Sequence, residues 1–325
     1  MVNFNELPYN EDILNSFIVT ASKLNNPQYK RIMCSISGGS DSDILLDLLT
    51  RLDQDKKVQY VWFDTGLEYQ ATKDHLKYLE QKYGIEIERI RAKKSIPLAC
   101  KQRGQPFLSK QVSENIYRLQ KYQFKWEDKP FKELYKEYPK CKAALMWWCN
   151  EWGDTKGKKK SKFNIAYNRY LKEFIIAHPP DFKISKKCCD VAKKHPAKAY
   201  KKANQINLSI VGVRKSEGGT RSTAHKNCFT PGEVDEYRPL FWYKEKTKRT
   251  YEKHFDIVHS ACYTHYGLSR TGCIGCPYGR DFEEELKVIE TYEPKLYKAI
   301  TTIFKDSYEY TRKYRQFCEM QNKKE

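Results

Sequence analysis

No apolar run in this sequence is long enough to span a bilayer, which excludes a helical membrane protein. The opening residues, MVNFNELPYNEDILNSF, are acidic and polar and lack the basic-then-apolar layout of a secretory signal, so the expectation is a soluble, cytoplasmic protein with no membrane partner. Acid is scarce relative to base. Forty-one Asp and Glu against 60 Lys and Arg leave a formal net charge of +19, with a pI of 9.3. Such an excess fits a polyanionic partner such as nucleic acid, anionic substrates, or a basic surface that only keeps the chain in solution. There is no internal repeat and no low-complexity block. Cysteine, by contrast, is plentiful and odd in number, at eleven. In a cytoplasmic protein that points to metal or redox use rather than a disulfide framework. The 325 residues suffice for a full α/β core plus an insertion or a small second lobe.

The stretch that organises the chain is Arg31 to Leu49. The apolar run Ile32-Met33-Cys34-Ser35-Ile36 suits a buried strand. It turns through Ser37-Gly38-Gly39-Ser40-Asp41-Ser42, and Ile44, Leu45, Leu48 and Leu49 then fall on one side at helical spacing. A strand, a glycine turn and a helix start make an anion site, because the glycines allow close backbone approach and free N–H groups point at negative charge. The turn lacks the Gly-Lys-Ser/Thr ending of a Walker loop. A first helix is expected over Ile13–Leu24. Further strands are expected at Val58–Phe63, Ile85–Ile90 and Leu208–Val213, and a helix at Ala71–Tyr83 stopped by Gly84. This alternation argues for an open, mostly parallel sheet with right-handed crossovers and helices on both faces. Asp64-Thr65-Gly66 then lie at a strand's C-terminal end, where such sheets bind ligands.

Residues 113–187 break this rhythm. They are rich in lysine and aromatics, among them Tyr117, Tyr122, Phe124, Trp126, Tyr135, Trp147, Trp148 and Trp152, and include the basic run Lys156 to Lys162. A mostly helical insertion is expected, whose aromatics either stack nucleic-acid bases or form a small core of their own. A basic helical stretch through Lys194 and then Ala197–Lys202 follows, and a helical tail closes the chain. Arg214 and Arg221, among the flexible glycines after Leu208–Val213, suit capture of a phosphate or sulfate. Lys110 could lend a point charge to a phosphate or be a solvated turn residue. Arg238 to Tyr243 should lie against the sheet.

Cys188-Cys189 and, about eighty residues on, Cys273-x-x-Cys276 make four thiols from two loops. Four cysteines can hold a 4Fe–4S cluster or zinc, or stay unligated. Neighbouring residues on a helix point about 100° apart, so Cys188 and Cys189 must sit at an irregular helix end to share one metal group. Cys34, Cys100, Cys141, Cys149, Cys228 and Cys262 read as small buried hydrophobes.

Ser37-Gly38-Gly39-Ser40-Asp41-Ser42 resembles the SGGxDS pyrophosphate loop of the adenine-nucleotide α-hydrolase superfamily, and Val61 to Tyr69 is similar to the "DTG…E" segment of the phosphoadenosine phosphosulfate (PAPS) reductase family. Gly104 to Lys110, Gly212 to Arg221 and Arg238 to Tyr243 are similar to further segments of that family, although Gly218 stands where the family carries a serine. The Cys-Cys…Cys-x-x-Cys order resembles its cluster-bearing branch.

The resemblance implies a Rossmann-like, α-hydrolase-type fold in four parts: 1–112 as the nucleotide-binding half, 113–187 as the insertion, 188–295 as the remainder with the cysteines, and 296–325 as the tail. It implies that Ser37, Gly38, Gly39, Ser40 and Ser42 hold a pyrophosphate and that Asp41 places magnesium or orients the loop. Asp64, Thr65 and Gly66 would face adenosine, Lys110 would border the nucleotide, and Arg214 and Arg221 would clamp the anionic group. Cys188, Cys189, Cys273 and Cys276 would hold a 4Fe–4S cluster, with zinc as the alternative. The implied substrate is ATP or an adenylated sulfate, with pyrophosphate released and sulfur transferred, served by a sulfur- or electron-donor protein. A sulfite-releasing reductase and a non-catalytic nucleic-acid binder with a structural metal are the alternatives. The Glu-Cys-Gly-x-His-type segment of true reductases is missing. The one late cysteine, Cys318, lies in a charged helical tail and reads as inert.

Overall fold

The computed structural model describes residues 6–153, 161–217, 224–279 and 281–324. The chain divides into two compact units, Met1–Lys93 with Ala192–Ile274, and Lys94–Val191 with Gly275–Glu325. The sequence placed divisions at 112/113, 187/188 and 295/296. The difference has a packing cause: the tail shares a core with the insertion, because Tyr310 and Tyr314 pack with Phe107 and Phe174.

The first unit holds a six-stranded sheet. Its strands are β1 (Ile32–Ser35), β2 (Val58–Asp64), β3 (Ile87–Arg91), β4 (Leu208–Val211), β5 (Phe229–Thr230) and β6 (Asp235–Tyr237), in the order β3-β2-β1-β4-β6-β5. All neighbours are parallel except β5 and β6. This is the Rossmann-like arrangement expected. The short β5–β6 pair was not expected, since two- and three-residue strands leave no periodicity to read. Side chains alternate across the sheet as the period of two requires. Ile32 and Cys34 of β1 pack in one core with Phe17, Leu48, Leu76 and Tyr251, while Met33 packs on the other face with Val61 and Tyr200. Both faces of the central strand are therefore covered by helices, which explains its continuous apolar run.

The helix Ser40–Leu52 follows β1. Leu45, Leu46, Leu48 and Leu49 are fully buried, each contributing roughly 1.5–3 kcal/mol by leaving water. Its buried surface is wider than the one-sided stripe read from sequence, because Asp43 and Asp47 are buried as well. Asp47 accepts bonds from Arg51, Tyr83 and Tyr251, so a carboxylate at a nominally core position keeps all its partners. The helix Gln70–Tyr83 ends at Gly84, which has φ +58°.

The second unit is helical around an aromatic core that includes Phe124, Trp147, Trp148, Phe174 and Tyr310. Phe124 meets Trp126 and Trp148 edge-on at 5.6 and 5.5 Å. The aromatics of the insertion are thus mainly its own core, and of those named above only Tyr135 and Trp152 are exposed. The greater part of the basic run, 156–160, lies outside the described residues. No helix among the described residues is long and apolar enough to cross a membrane.

Candidate functional site

The sheet order turns back at β1, whose neighbours are β2 on one side and β4 on the other. Beyond the carboxyl ends of β1 and β4 lies the crevice where open α/β sheets receive ligands. Two segments converge there: Ser37–Ser42 after β1, and Gly212–Ser216 after β4. Gly38 has φ +66°, and a Cβ on it would come within 2.7 Å of Thr72 Cγ2, so both conformation and space demand glycine. A Cβ on Gly212 would approach the Asp41 carbonyl to 3.2 Å, so this glycine brings the two segments together.

The loop is closely knit. The Ser37 N–H donates to Ser42 Oγ (3.0 Å), the Gly39 N–H to Ser37 Oγ (3.4 Å), and the Ser40 N–H to the Tyr263 hydroxyl (3.2 Å). Tyr263 is steadied by Thr271 Oγ1 at 3.1 Å. Loop donors expected to face an anion are therefore held by hydroxyls, which release them more readily than a carboxylate would.

Two cations meet the loop on one atom. Arg214 Nε lies 2.9 Å and Lys248 Nζ 3.0 Å from the same oxygen, Asp41 Oδ1. Lys248 Nζ also donates to Ser40 Oγ at 2.5 Å and lies 3.7 Å from Glu252. Arg214 is tied further to Ser216 Oγ (3.1 Å) and Glu245 (3.5 Å). Burial works against its charge, but the Asp41 hydrogen bond and the acids around it outweigh burial and raise its pKa. Behind this pair runs a second chain of contacts. His259 bonds Glu252 at 2.9 Å and Asp43 at 2.7 Å, and Asp43 bonds His75 at 2.9 Å. Burial disfavours a charged His259, yet its bonds to Asp43 and Glu252 prevail and push its pKa up to about 9.

The residues after β2 behave differently from the expectation. Asp64 is buried, receives Arg89 Nε at 2.8 Å and accepts the Gly66 N–H at 2.8 Å. Thr65 is buried and donates to Glu68 at 2.7 Å. Burial pushes Glu68 up despite Lys193 and Thr65. The side chains expected to face adenosine are thus committed to building the turn, because a carboxylate at a covered strand end must find a partner. Lys110 belongs to the second unit and is exposed at the start of the helix Lys110–Lys121. Arg221 and Gly218 lie outside the described residues.

None of the eleven cysteines is in a disulfide. Cys188 and Cys189 form a three-residue helical turn, Lys187–Cys189, which passes into a π-helix, Asp190–Lys194. This is the irregular geometry that adjacent ligands need. Cys188 hydrogen-bonds Cys100 and Cys189, and its thiol is pushed up first by the bond to Cys100, with Cys276 adding its field. These four cysteines belong to the second unit. Cys273 belongs to the first, with its sulfur 4.0 Å from Thr65 Oγ1. Among the described residues no three His, Cys, Asp or Glu side chains are gathered closely enough to grip a metal ion. The donor set of the second unit, all thiol, is nonetheless the chemistry that iron–sulfur clusters and structural zinc take. Of the cysteines read as buried hydrophobes, Cys34, Cys100, Cys141 and Cys262 are buried, whereas Cys149 and Cys228 are half-buried. Cys318 donates to the Arg169 carbonyl (3.6 Å), and burial leads in raising its pKa, the opposite of what a nucleophile needs.

Sequence reasoning missed Lys248, Tyr263, His259 and Asp43. The last has a weak signal, an acid on an apolar helical face. The others lie more than 200 residues downstream in text without a motif.

Residues 31–147 match the family model described as the phosphoadenosine phosphosulfate reductase domain, a stretch that holds the Ser37–Ser42 loop and the Asp64–Glu68 turn. An uncharacterized protein of Methanocaldococcus jannaschii is 24% identical over 287 residues, which take in 85% of this chain and 42% of that protein. The chain thus spans about two fifths of the length of the curated relative it matches. Among solved structures, the phosphoadenylyl-sulfate (PAPS) reductase of Candida auris in a phosphate complex is similar with a TM-score of 0.44 and 12% identity, covering 82% of this chain and 97% of that one. The NH3-dependent NAD synthetase of Campylobacter jejuni gives 0.39 and 11%, covering 94% and 96%. The U34-tRNA thiolase of Methanococcus maripaludis with its 4Fe–4S cluster gives 0.37 and 13%, covering 95% and 79%.

Proposed function

We propose that this protein binds an adenine nucleotide, ATP or an adenylated sulfate, at the Ser37–Ser42 loop and, with ATP, catalyses displacement at the α-phosphorus with pyrophosphate as the leaving group. The observation that carries the reading is the convergence of that loop with Arg214 and Lys248 where the sheet order turns back. An acceptor nucleophile attacks the α-phosphorus, the bond to the bridging oxygen breaks, and the electron pair leaves on pyrophosphate. The chain's part is to hold fixed donors around the spreading negative charge: the loop N–H groups, the Ser37 and Ser42 hydroxyls and the two cations. Asp41 is the carboxylate placed to bind magnesium beside the phosphates.

The activated product is then used for sulfur transfer, with nucleic acid as the acceptor the chain's +19 charge suits. A cysteine-held iron–sulfur cluster, when bound, would supply electrons or an iron site for sulfur. The resemblance assigns it Cys188, Cys189, Cys273 and Cys276, and Cys100 lies beside Cys188. The raised pKa of Cys318 speaks against a sulfite-releasing reductase that uses that thiol.

The test is anaerobic purification with iron and sulfide analysis, followed by ATP, PAPS and adenylylsulfate offered in parallel. Pyrophosphate from ATP, lost in the Gly39→Asp, Ser42→Ala double variant, is the expected result, together with iron lost in Cys188→Ser and Cys276→Ser. Pyrophosphate release that survives the double variant sinks the nucleotide-site assignment.

A further inference from the structure

Lys248 is the one buried lysine among the described residues, although it sits on a helix, Glu245–His254, whose Lys246 and Lys253 are exposed. Taking an ammonium out of water is costly, so it must be repaid by strong partners. Its two nearest, Ser40 Oγ and Asp41 Oδ1, both belong to the pyrophosphate loop. Glu252, the third, is more closely engaged by His259. Arg214 reaches the same Asp41 oxygen from another element, the segment after β4. Two cations aimed at one carboxylate oxygen within 3.0 Å outline the position of an oxyanion.

We propose that Lys248 is a phosphate-contacting residue of this site, and that Asp41 Oδ1 marks the place a phosphate oxygen takes when the nucleotide enters. The inference rests on the nucleotide reading above and adds to it a residue and an exchange of partners. With magnesium bound, the Asp41 carboxylate would serve as its ligand, and the Lys248 ammonium and Arg214 guanidinium would pass from that carboxylate to the phosphate. Both cations are already dehydrated and aimed, so the exchange requires no fresh desolvation of either. Glu252, His259 and Asp43 hold Lys248 from behind. Those three are positioning residues: Glu252 contacts Lys248, His259 contacts Glu252, and the Asp43 side chain contacts His259.

The exchange predicts two effects of opposite sign. Calorimetric titration of the full chain with inorganic pyrophosphate, without magnesium, should show Lys248→Gln weakened by about 10–100-fold, the usual loss for a charge-assisted bond, and Lys248→Arg weakened by less than about 10-fold. Asp41→Asn should bind metal-free pyrophosphate more tightly than wild type, because a competing carboxylate is gone, yet lose the gain in ATP affinity that magnesium gives wild type. Misfolding cannot produce that tightening, so the Asp41→Asn arm stands even if Lys248→Gln proves unstable in a thermal melt. Unchanged pyrophosphate affinity in Lys248→Gln, or no tightening in Asp41→Asn, overturns the inference. If wild type binds and Gly39→Asp does not, the nucleotide reading survives that result. Wild-type protein that binds neither pyrophosphate nor ATP overturns both.

Discussion

The two units bury different chemistry. The first hides charge: Asp43, Asp47, Asp64, Glu68, Arg214, Arg238 and Lys248 are all buried in it. In the second, among the described residues, Glu293 is the one buried charged side chain, and the interior is tryptophan, tyrosine, phenylalanine and aliphatic. A charged interior is specified by partners and is sensitive to protonation. An aromatic interior is specified by shape and is sensitive to lost volume. The difference fits where a polyphosphate site would stand, since fixed cations and carboxylates can be held in a dry place only by one another.

The sharpest break of this contrast is a cavity against an orphaned charge. Trp148→Ala in the second unit should cost about 3–5 kcal/mol, and Asp43→Leu in the first a similar amount, the latter because His75 and His259 lose their shared carboxylate. Denaturant titration of both variants measures this. A loss under about 1 kcal/mol in Asp43→Leu would show that the first unit's charges are not mutually dependent.

Next in size is a pH effect confined to the first unit. The pKa of His259 is raised from 6.5 to about 9, so its contribution is complete below 6.5 and is lost as pH climbs through 9. That amounts to about 3 kcal/mol at most, and somewhat less because the ring is partly exposed. Stability profiles of wild type and His259→Gln between pH 6 and 10 should converge at the alkaline end. Parallel profiles would refute it. Gly38→Ala should cost about 1–3 kcal/mol, through its positive φ and the approach to Thr72, and should weaken ATP binding with it. The smallest effect belongs to the surface of the second unit. Arg312→Ala breaks a two-pronged pair with Glu283 between half-exposed side chains, and should lower the unfolding free energy, read by denaturant titration, by less than about 1 kcal/mol.

Much of the first unit was legible. The Ile32–Ile36 run, the glycine turn and the leucine spacing after it are local signals, and they gave the strand, loop and helix within a few residues. The irregular turn at Cys188–Cys189 is the geometry that helix spacing requires if the two are to share one metal group. Harder to read were the acids and hydroxyls after β2. Asp64 and Thr65 have the composition of a ligand-facing turn, but Arg89, twenty-five residues on, claims the carboxylate and Glu68 claims the hydroxyl.

What the sequence by itself determined was the local frame of the proposed site: a serine–glycine bend between a buried strand and a helix needs only neighbours in the chain. The tertiary structure alone decided which side chains complete it. Lys248 and Tyr263 come from segments more than 200 residues away, and nothing in their local text separates a lysine that solvates a helix from one buried against a loop. The divided placement of the cysteines, with Cys273 in one unit and Cys276 in the other, likewise follows from where the chain passes between cores. Spacing along a chain fixes directions within one element, whereas burial and pairing depend on which elements the rest of the molecule packs around it.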